Sequence, residues 1–224
     1  MFIKENLDKI LFEIKDGNNL GEKIMLVGAT KTIDADTINL AVSNGLEVVA
    51  ENKVQEFREK TDKISGAKQH FIGHLQTNKV KYLVGKVDLI HSVDSLKLAE
   101  EISRVAKIRQ VIQDVLLEIN VGGELSKSGI SPENAIEFYQ TVKKLDKIKV
   151  RGLMAMLPKT DDQLYLKNLV LKMREIYDII RKTDENIIYL SVGMSADYKV
   201  AINNGANVIR VGSLIFGKRN YGDN

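Results

Sequence analysis

The sequence predicts an α/β fold, a single (β/α)8 TIM barrel with an extra N-terminal helix. Apolar segments of strand length alternate with amphipathic helical patterns along the chain. Eight strand-like segments lie between residues 24 and 211, and each is followed by a helical pattern except the last, which runs into a glycine-rich segment at 212–217. A doubly wound open sheet is the alternative, but the sequence lacks the Gly-x-Gly-x-x-Gly turn that usually follows the first strand of that fold.

Local patterns define each element in order. A stripe of Ile and Leu predicts a leading helix over 2–16, Asp34 or Asp36 caps the next helix, and Pro132 lies in the first turn of a later one. The predicted strands are 24–29, 47–50, 70–73, 87–91, 111–119, 149–154, 187–190 and 207–211. The predicted helices after the first strand are 34–45, 53–64, 76–84, 95–107, 132–144, 162–182 and 196–203.

Composition excludes several classes of protein. With 33 Lys and Arg against 30 Asp and Glu, the net charge of +3 is too small to predict a nucleic-acid surface. The absence of cysteine excludes disulfides, thiolate metal sites and thiol nucleophiles. No apolar run reaches the ~20 residues of a membrane span, and the first residues do not resemble a signal peptide. We therefore expect a soluble, cytoplasmic protein.

Lys31 lies at the C-terminal end of the first predicted strand. Side chains alternate along a strand, so Met25, Val27, Ala29 and Lys31 share one face and the amine points the same way as the apolar side chains. Apolar neighbours disfavour the charged amine and lower its pKa, and a neutral amine can attack an aldehyde to form a Schiff base. The alternative is a strand-end lysine whose amine reaches water.

The loops after the seventh and eighth predicted strands contain residues suited to a phosphate group. Barrels of this class commonly bind phosphate at these two loops. Ser195 can cap the helix over 196–203 and leave the first N–H groups facing an anion. Gly212 allows the backbone to approach an oxyanion, and Ser213 supplies a hydroxyl. Taken singly these residues are a helix cap and a turn, but together they predict one phosphate site.

Arg210 shares a face of the eighth strand with Val208 and Gly212, so it is expected to point into the barrel mouth. A buried arginine keeps its charge and needs an acceptor, and the alternative interpretation is an ion pair with Glu118. An imine-forming lysine, a phosphate site across the mouth and an arginine between them outline pyridoxal 5′-phosphate (PLP), whose aldehyde and phosphate project from a pyridine ring.

Short motifs in these and other segments occur in the order of a known family. The sequence resembles the pyridoxal phosphate homeostasis proteins, relatives of the N-terminal barrel of alanine racemase. The motifs span nearly the whole chain and lie at Val27–Lys31, Glu51–Glu56, His70–Lys79, Ser92–Asp94, Asn120–Gly129, Gly152–Met156, Gly193–Asp197 and Arg210–Gly217.

The resemblance implies a fold, a cofactor and a set of site residues. It implies an alanine racemase N-terminal domain-like barrel, one PLP-binding domain over residues 1–224, that acts in intracellular PLP homeostasis. PLP-dependent apoenzymes are the implied recipients of the cofactor. The implied cofactor-binding residues are Lys31 as the Schiff-base lysine, Arg210 beside the pyridine nitrogen, Ser195, Gly212 and Ser213 at the phosphate, and Asn52 and Met194 in the pocket wall.

The same resemblance implies binding without robust catalysis. An arginine beside the ring nitrogen keeps it unprotonated, which weakens the ring as an electron sink. Alanine racemase also uses a tyrosine from a C-terminal β-domain across a dimer, and the sequence ends thirteen residues after the eighth strand. We therefore predict that the protein is not an enzyme, that its catalytic residue set is empty and that it acts as a monomer.

Two other function classes stay open. One is a small fold-type III PLP enzyme such as an amino-acid racemase, with His74, His91, Tyr82 or Tyr198 as the acid or base. The other is a cofactor-free barrel that acts on a sugar phosphate through an imine on Lys31. Metal binding is not expected, because three histidines and no cysteine provide no ligand spacing. The glycine-rich segment 122–129 does not fit a nucleotide-binding loop and is interpreted as a mobile rim over the pocket.

Overall fold

The strands form a closed parallel barrel, as predicted. The computed structural model describes residues 2–124 and 127–217. Its strands are hydrogen-bonded in chain order, and the last strand pairs with the first, so the sheet closes on itself. The strands are β1 (Met25–Ala29), β2 (Val48–Glu51), β3 (Lys68–Phe71), β4 (Leu89–Val93), β5 (Gln113–Glu118), β6 (Ile148–Met154), β7 (Tyr189–Met194) and β8 (Val208–Val211).

Helices surround the barrel. The α-helices of the described residues are α1 (Phe2–Ile14), α2 (Ala35–Ser43), α3 (Val54–Lys60), α4 (Leu96–Arg109), α5 (Ala135–Val142), α6 (Gln163–Arg181), α7 (Tyr198–Ile202) and α8 (Ser213–Phe216). Short 3-10 segments lie at Thr61–Lys63, Thr77–Tyr82 and Pro132–Asn134. The prediction of a helix over 76–84 was therefore wrong in type: this segment buries a single side chain, that of Val80, which is too little to support an α-helix. None of the described helices combines the length and apolarity that crossing a membrane requires.

Local capping explains where α2 begins. The carboxylate of Asp34 accepts a hydrogen bond of 2.8 Å from the Thr37 N–H, so Asp34 is the N-cap and Asp36 lies in the first turn. This cap fixes the start of α2 three residues after Lys31. The turn that contains Lys31 is therefore short and bounded on both sides by regular structure.

Strand β7 differs from the prediction and changes the role of its residues. It continues to Met194, four residues past the predicted end, and Ser191 and Val192 are fully buried. Gly193 has φ +102°, and a Cβ there would lie 2.7 Å from the Cβ of Ala201. Glycine thus allows the end of β7 to pack against α7. As a consequence Ser191 belongs to the strand and not to the following loop.

The apolar core has an outer layer and an inner layer. The outer layer packs helices against strands, and on one side it joins Leu7, Ile10 and Ile14 of α1 to Ile209 and Val211 of β8. The predicted N-terminal helix therefore covers the strand that carries Arg210. The inner layer includes the small apolar side chains Val27, Val48, Ala50 and Val208. The buried polar residues His70, His91, Ser191 and Arg210 also lie on the barrel strands.

Candidate functional site

A cavity of about 850 Å³ opens at the C-terminal ends of the strands. All residues predicted to bind PLP line this cavity: Lys31, Asn52, Met194, Ser195, Arg210, Gly212 and Ser213. They follow or end β1, β2, β7 and β8, which are consecutive around the closed barrel. The structure therefore brings residues from both ends of the sequence to one side of a single cavity.

The backbone beside Lys31 is unusual. Lys31 is partly buried and lies in the turn between β1 and α2. The next residue, Thr32, has φ +67°, a left-handed conformation that β-branched residues rarely adopt. The Thr32 N–H donates a 2.7 Å hydrogen bond to Oε2 of Glu56, and its hydroxyl donates to the Lys31 carbonyl at 2.6 Å. These bonds hold the turn in its strained shape.

A cluster of three charged side chains supports this turn, and we call Glu51, Glu56 and Lys60 the carboxylate–lysine clamp. The Lys60 ammonium donates to Glu51 at 2.9 Å, to Glu56 at 3.0 Å and to the Thr30 carbonyl at 3.2 Å. Burial raises the pKa of Glu51, although Lys60 and the Thr30 hydroxyl oppose this rise. Burial also acts to raise the pKa of Glu56, but the Thr32 N–H and Lys60 outweigh it and lower that pKa.

The two predicted phosphate turns meet, but not through the predicted cap. Oγ of Ser195 lies 3.4 Å from the Gly212 N–H, which donates to it, so the turns after β7 and β8 are adjacent. The cap of α7 is Asp197 and not Ser195, and the Asp197 carboxylate accepts from the Met194 N–H. A Cβ at Gly212 would lie 3.0 Å from the Ala29 carbonyl oxygen, so glycine permits this close packing onto β1.

Arg210 is 4% exposed and is held by uncharged acceptors. Nη1 donates to the Ser191 carbonyl at 2.8 Å and to Ser191 Oγ at 2.6 Å, and Nη2 donates to the Ala155 carbonyl at 2.9 Å. Burial lowers the pKa of Arg210 to about 10, so the guanidinium remains charged at neutral pH. The alternative of an ion pair with Glu118 was wrong, because no ion pair joins these two described residues.

Two histidines extend this support across the barrel. Nδ1 of His70 lies 3.0 Å from Nε2 of His91, and Nδ1 of His91 lies 3.2 Å from Ser191 Oγ. Burial lowers the pKa of His70 to about 4 and that of His91 well below its usual value, so both rings are neutral at pH 7. We call His70, His91 and Ser191 the neutral network. Sequence reasoning missed it, although His70 and His91 are both inside predicted strands.

The four residues considered as an acid or base occupy very different positions. His91 is fully buried in the neutral network. The Tyr198 hydroxyl donates to Glu13 on α1, and the Tyr82 ring lies beneath the Arg58 guanidinium. His74 lines the cavity, is largely exposed and lies 3.2 Å from Asp94. Of these four residues, His74 alone therefore reaches the cavity.

The residues of the cavity fit PLP. Lys31 offers an amine, Ser195 and Ser213 offer hydroxyls, and Arg210 offers a charged donor. Oδ1 of Asn52 is buried without a hydrogen-bond partner among the described residues, although Asn52 lines the cavity. A buried polar atom without a partner is costly, and a ligand in the cavity can satisfy it. Within residues 2–124 and 127–217, no three His, Asp or Glu side chains are grouped to hold a metal ion.

The remaining half of the cavity has different residues. His74, Glu118, Lys127, Ser128 and Met156 line it, and they lie at or after the ends of β3, β5 and β6. Lys127 and Ser128 belong to the predicted rim over the pocket, whose residues 125 and 126 lie outside the described part of the chain. Sequence reasoning considered Glu118 only as a partner of Arg210 and missed that it faces the cavity.

Comparison with known sequences identifies related proteins. Residues 6–220 match the family model of the alanine racemase N-terminal domain. A pyridoxal phosphate homeostasis protein of Aquifex aeolicus is 41% identical over 222 residues, which cover 98% of this chain and 96% of that protein. A protein of the same name from Helicobacter pylori is 32% identical and covers 95% of this chain and 97% of its own length.

Comparison with solved structures gives the same picture. PipY of Synechococcus elongatus, solved with PLP bound, has a TM-score of 0.82 and 29% identity, and the match covers 96% of this chain and 100% of PipY. An alanine racemase of Clostridium difficile has a TM-score of 0.73 and 19% identity, and the match covers 99% of this chain but 58% of the racemase. At that identity the racemase shows a shared fold alone.

Proposed function

Because the chain belongs to the pyridoxal phosphate homeostasis proteins, which have the barrel of the alanine racemase N-terminal domain, we propose that it binds PLP and acts in homeostasis of this cofactor. One observation supports this function above the others: the seven residues that the sequence assigns to PLP line the same side of one cavity. PipY, which matches almost the whole chain, has PLP bound in its own structure.

In this proposal each residue has a separate task. Lys31 holds the cofactor as a Schiff base, and the turns with Ser195, Gly212 and Ser213 hold its phosphate. Arg210 faces the ring nitrogen, and Asn52 and Met194 complete the wall. When bound, PLP supplies an aldehyde that reacts with amines. Because Arg210 remains charged at neutral pH and has no proton acceptor to offer, it leaves the ring nitrogen unprotonated.

We further propose that the protein holds the cofactor without robust turnover of amino acids. Catalysis of that kind requires a positioned acid or base. Among the four candidates His74 alone lines the cavity, and its largely exposed ring lies on the rim. The proposed protein is a cytoplasmic monomer in which residues 1–224 act as one domain, and it hands PLP on to apoenzymes.

Borohydride reduction tests the assignment of the cofactor and of Lys31. Protein purified with PLP should be yellow, and reduction should bleach it and leave a stable mass increase on the peptide that contains Lys31. Lys31→Ala should lose the colour, whereas Lys53→Ala, which removes an exposed lysine outside the cavity, should keep it. Colourless wild-type protein after incubation with PLP, or a label on another lysine, would contradict the proposal.

An assay of amino-acid racemisation tests the absence of robust turnover. Wild-type protein loaded with PLP and the Lys31→Ala variant should both stay far below ordinary enzyme rates of roughly 1–10³ s⁻¹. Turnover in that range that disappears in Lys31→Ala would show that the protein is an enzyme.

A further inference from the structure

The proposed cofactor residues use only one side of the cavity. They lie at the ends of four consecutive strands, β7, β8, β1 and β2. A cavity of about 850 Å³ lies near the upper end of the ~300–1,000 Å³ found for small-molecule sites. PLP is a compact ligand with a single ring. The opposite side, at the ends of β3, β5 and β6, therefore remains available for a second small molecule.

Glu118 is the feature of that side that most needs a ligand. It ends β5, is 7% exposed and lines the cavity. Its carboxyl group forms no hydrogen bond or ion pair with another described residue. Burial, assisted by the charge of Asp94, raises the pKa of Glu118 to about 7. A carboxylate that is removed from water and left without a partner is costly, so a bound cation would stabilise it.

The surroundings of Glu118 narrow the chemistry of such a ligand. The negative charge of Asp94 acts on Glu118 more strongly than the positive charges of Arg210 and His74. This balance disfavours an anion next to the carboxylate. The described residues provide no group of ligands for a metal ion. Met156 adds an apolar surface to the same side of the cavity. A small organic cation with N–H donors and a short apolar part satisfies all of these conditions.

We propose that Glu118 binds the ammonium group of a small primary amine on the β3, β5 and β6 side of the cavity. The ammonium donates to the carboxylate, and its carbon chain lies against Met156. For the occupant of the opposite side, this assignment rests on the proposed function. It places an amine in the same cavity as Lys31, and primary amines are the class of compound that reacts with the aldehyde of PLP.

A titration of cofactor-free protein tests the amine site directly. Protein with ¹³C-labelled methionine methyl groups would be titrated at pH 8 with ethylamine and, separately, with acetate. Ethylamine should shift the Met156 signal in a saturable manner, and acetate should not. Glu118→Gln, which keeps the shape of the side chain, should weaken ethylamine binding at least tenfold. Glu133→Gln, which removes an exposed carboxylate outside the cavity, should leave it unchanged.

Several outcomes separate the alternatives. Glycine bound as tightly as ethylamine would extend the ligand class to amino acids and support the site. Equal affinity in wild type and Glu118→Gln, a stronger response to acetate, or no saturable shift would overturn the proposal. Thermal unfolding of Glu118→Gln checks that the variant is folded. Because PLP is absent from the titration, its result is independent of the yellow colour that tests the proposed function.

Discussion

Lys31 and Arg210 lie on adjacent strands of the barrel, yet the protein supports them in opposite ways. The Lys31 turn rests on the carboxylate–lysine clamp, in which three charged side chains surround the backbone of Thr30 and Thr32. Arg210 rests on the neutral network, in which a hydroxyl, two carbonyl groups and two uncharged imidazoles surround a charged side chain. One support is ionic and fixes a backbone, whereas the other is neutral and fixes a guanidinium.

The difference has a physical reason. Carboxylates next to Arg210 would bind the guanidinium directly and cancel its charge toward a ligand. Neutral acceptors satisfy its N–H groups and leave the positive charge available. At the Lys31 turn the requirement is geometric, because a strained backbone must be held in place. Strong charge-assisted hydrogen bonds from Glu56 and Lys60 suit that task.

Glu118 breaks this pattern, since it is a buried charge with neither kind of support, and it gives the largest expected effect. Its pKa of about 7 in the folded chain exceeds the ordinary value of 4.5. The folded state therefore favours the protonated carboxyl, and stability falls as pH rises from about 4.5 to 7. Glu118→Gln removes this loss, so we expect a gain of about 3 kcal/mol at pH 8 and almost none at pH 4. Urea unfolding at both pH values measures it, and an equal gain at both would refute the cause.

Ser191→Ala tests the neutral network and should cost about 2 kcal/mol. The change removes the hydroxyl that accepts from Arg210 and that contacts His91. Hydrogen bonds to charged groups contribute ~1.5–3 kcal/mol when one partner is lost. Ser92→Ala is the matched control, because Ser92 is also buried in the barrel wall but its hydroxyl has no hydrogen-bond partner among the described residues. Equal destabilisation of the two variants in urea would show that the network does not stabilise Arg210.

Lys60→Met tests the clamp, and a smaller loss of about 1.5 kcal/mol is expected because Lys60 is 13% exposed. The variant leaves the buried carboxylate of Glu51 without its cation, so Glu51→Gln in the same protein should restore much of the stability. Absorbance measurements should show slower formation of the yellow PLP complex, since the Lys31 turn loses a contact at the Thr30 carbonyl. A variant with lower stability but unchanged kinetics would indicate that the clamp acts on the fold alone.

The two regions also differ in how far sequence reasoning reached. The alternation of strands and helices was predicted because each strand buries a short apolar segment, and closure of the barrel then brings residues 31 and 210 together. The end of β7 was missed because Ser191 and Gly193 have the composition of a loop, although the barrel buries the first and α7 requires the second. The helix predicted over 76–84 lacked an apolar stripe long enough to form.

The supports of the site could not be predicted for a different reason. The contacts of His70, His91 and Ser191 depend on the register of three strands, which no local pattern reveals. The clamp depends on the direction in which α3 leaves β2. The left-handed conformation of Thr32 contradicts its local preference, because the contacts of the folded chain impose it.

Thr32 therefore gives the smallest and most local prediction. Glycine adopts its φ of +67° without steric cost but loses more entropy on folding, so Thr32→Gly should stabilise the fold by about 0.5 kcal/mol. Thr32→Val keeps the unfavourable branching and loses the hydroxyl that donates to the Lys31 carbonyl, so it should destabilise. Both variants keep the N–H that donates to Glu56. Opposite signs in urea unfolding would show that the turn beside Lys31 is strained, and destabilisation by glycine would show that the hydroxyl contact outweighs the strain.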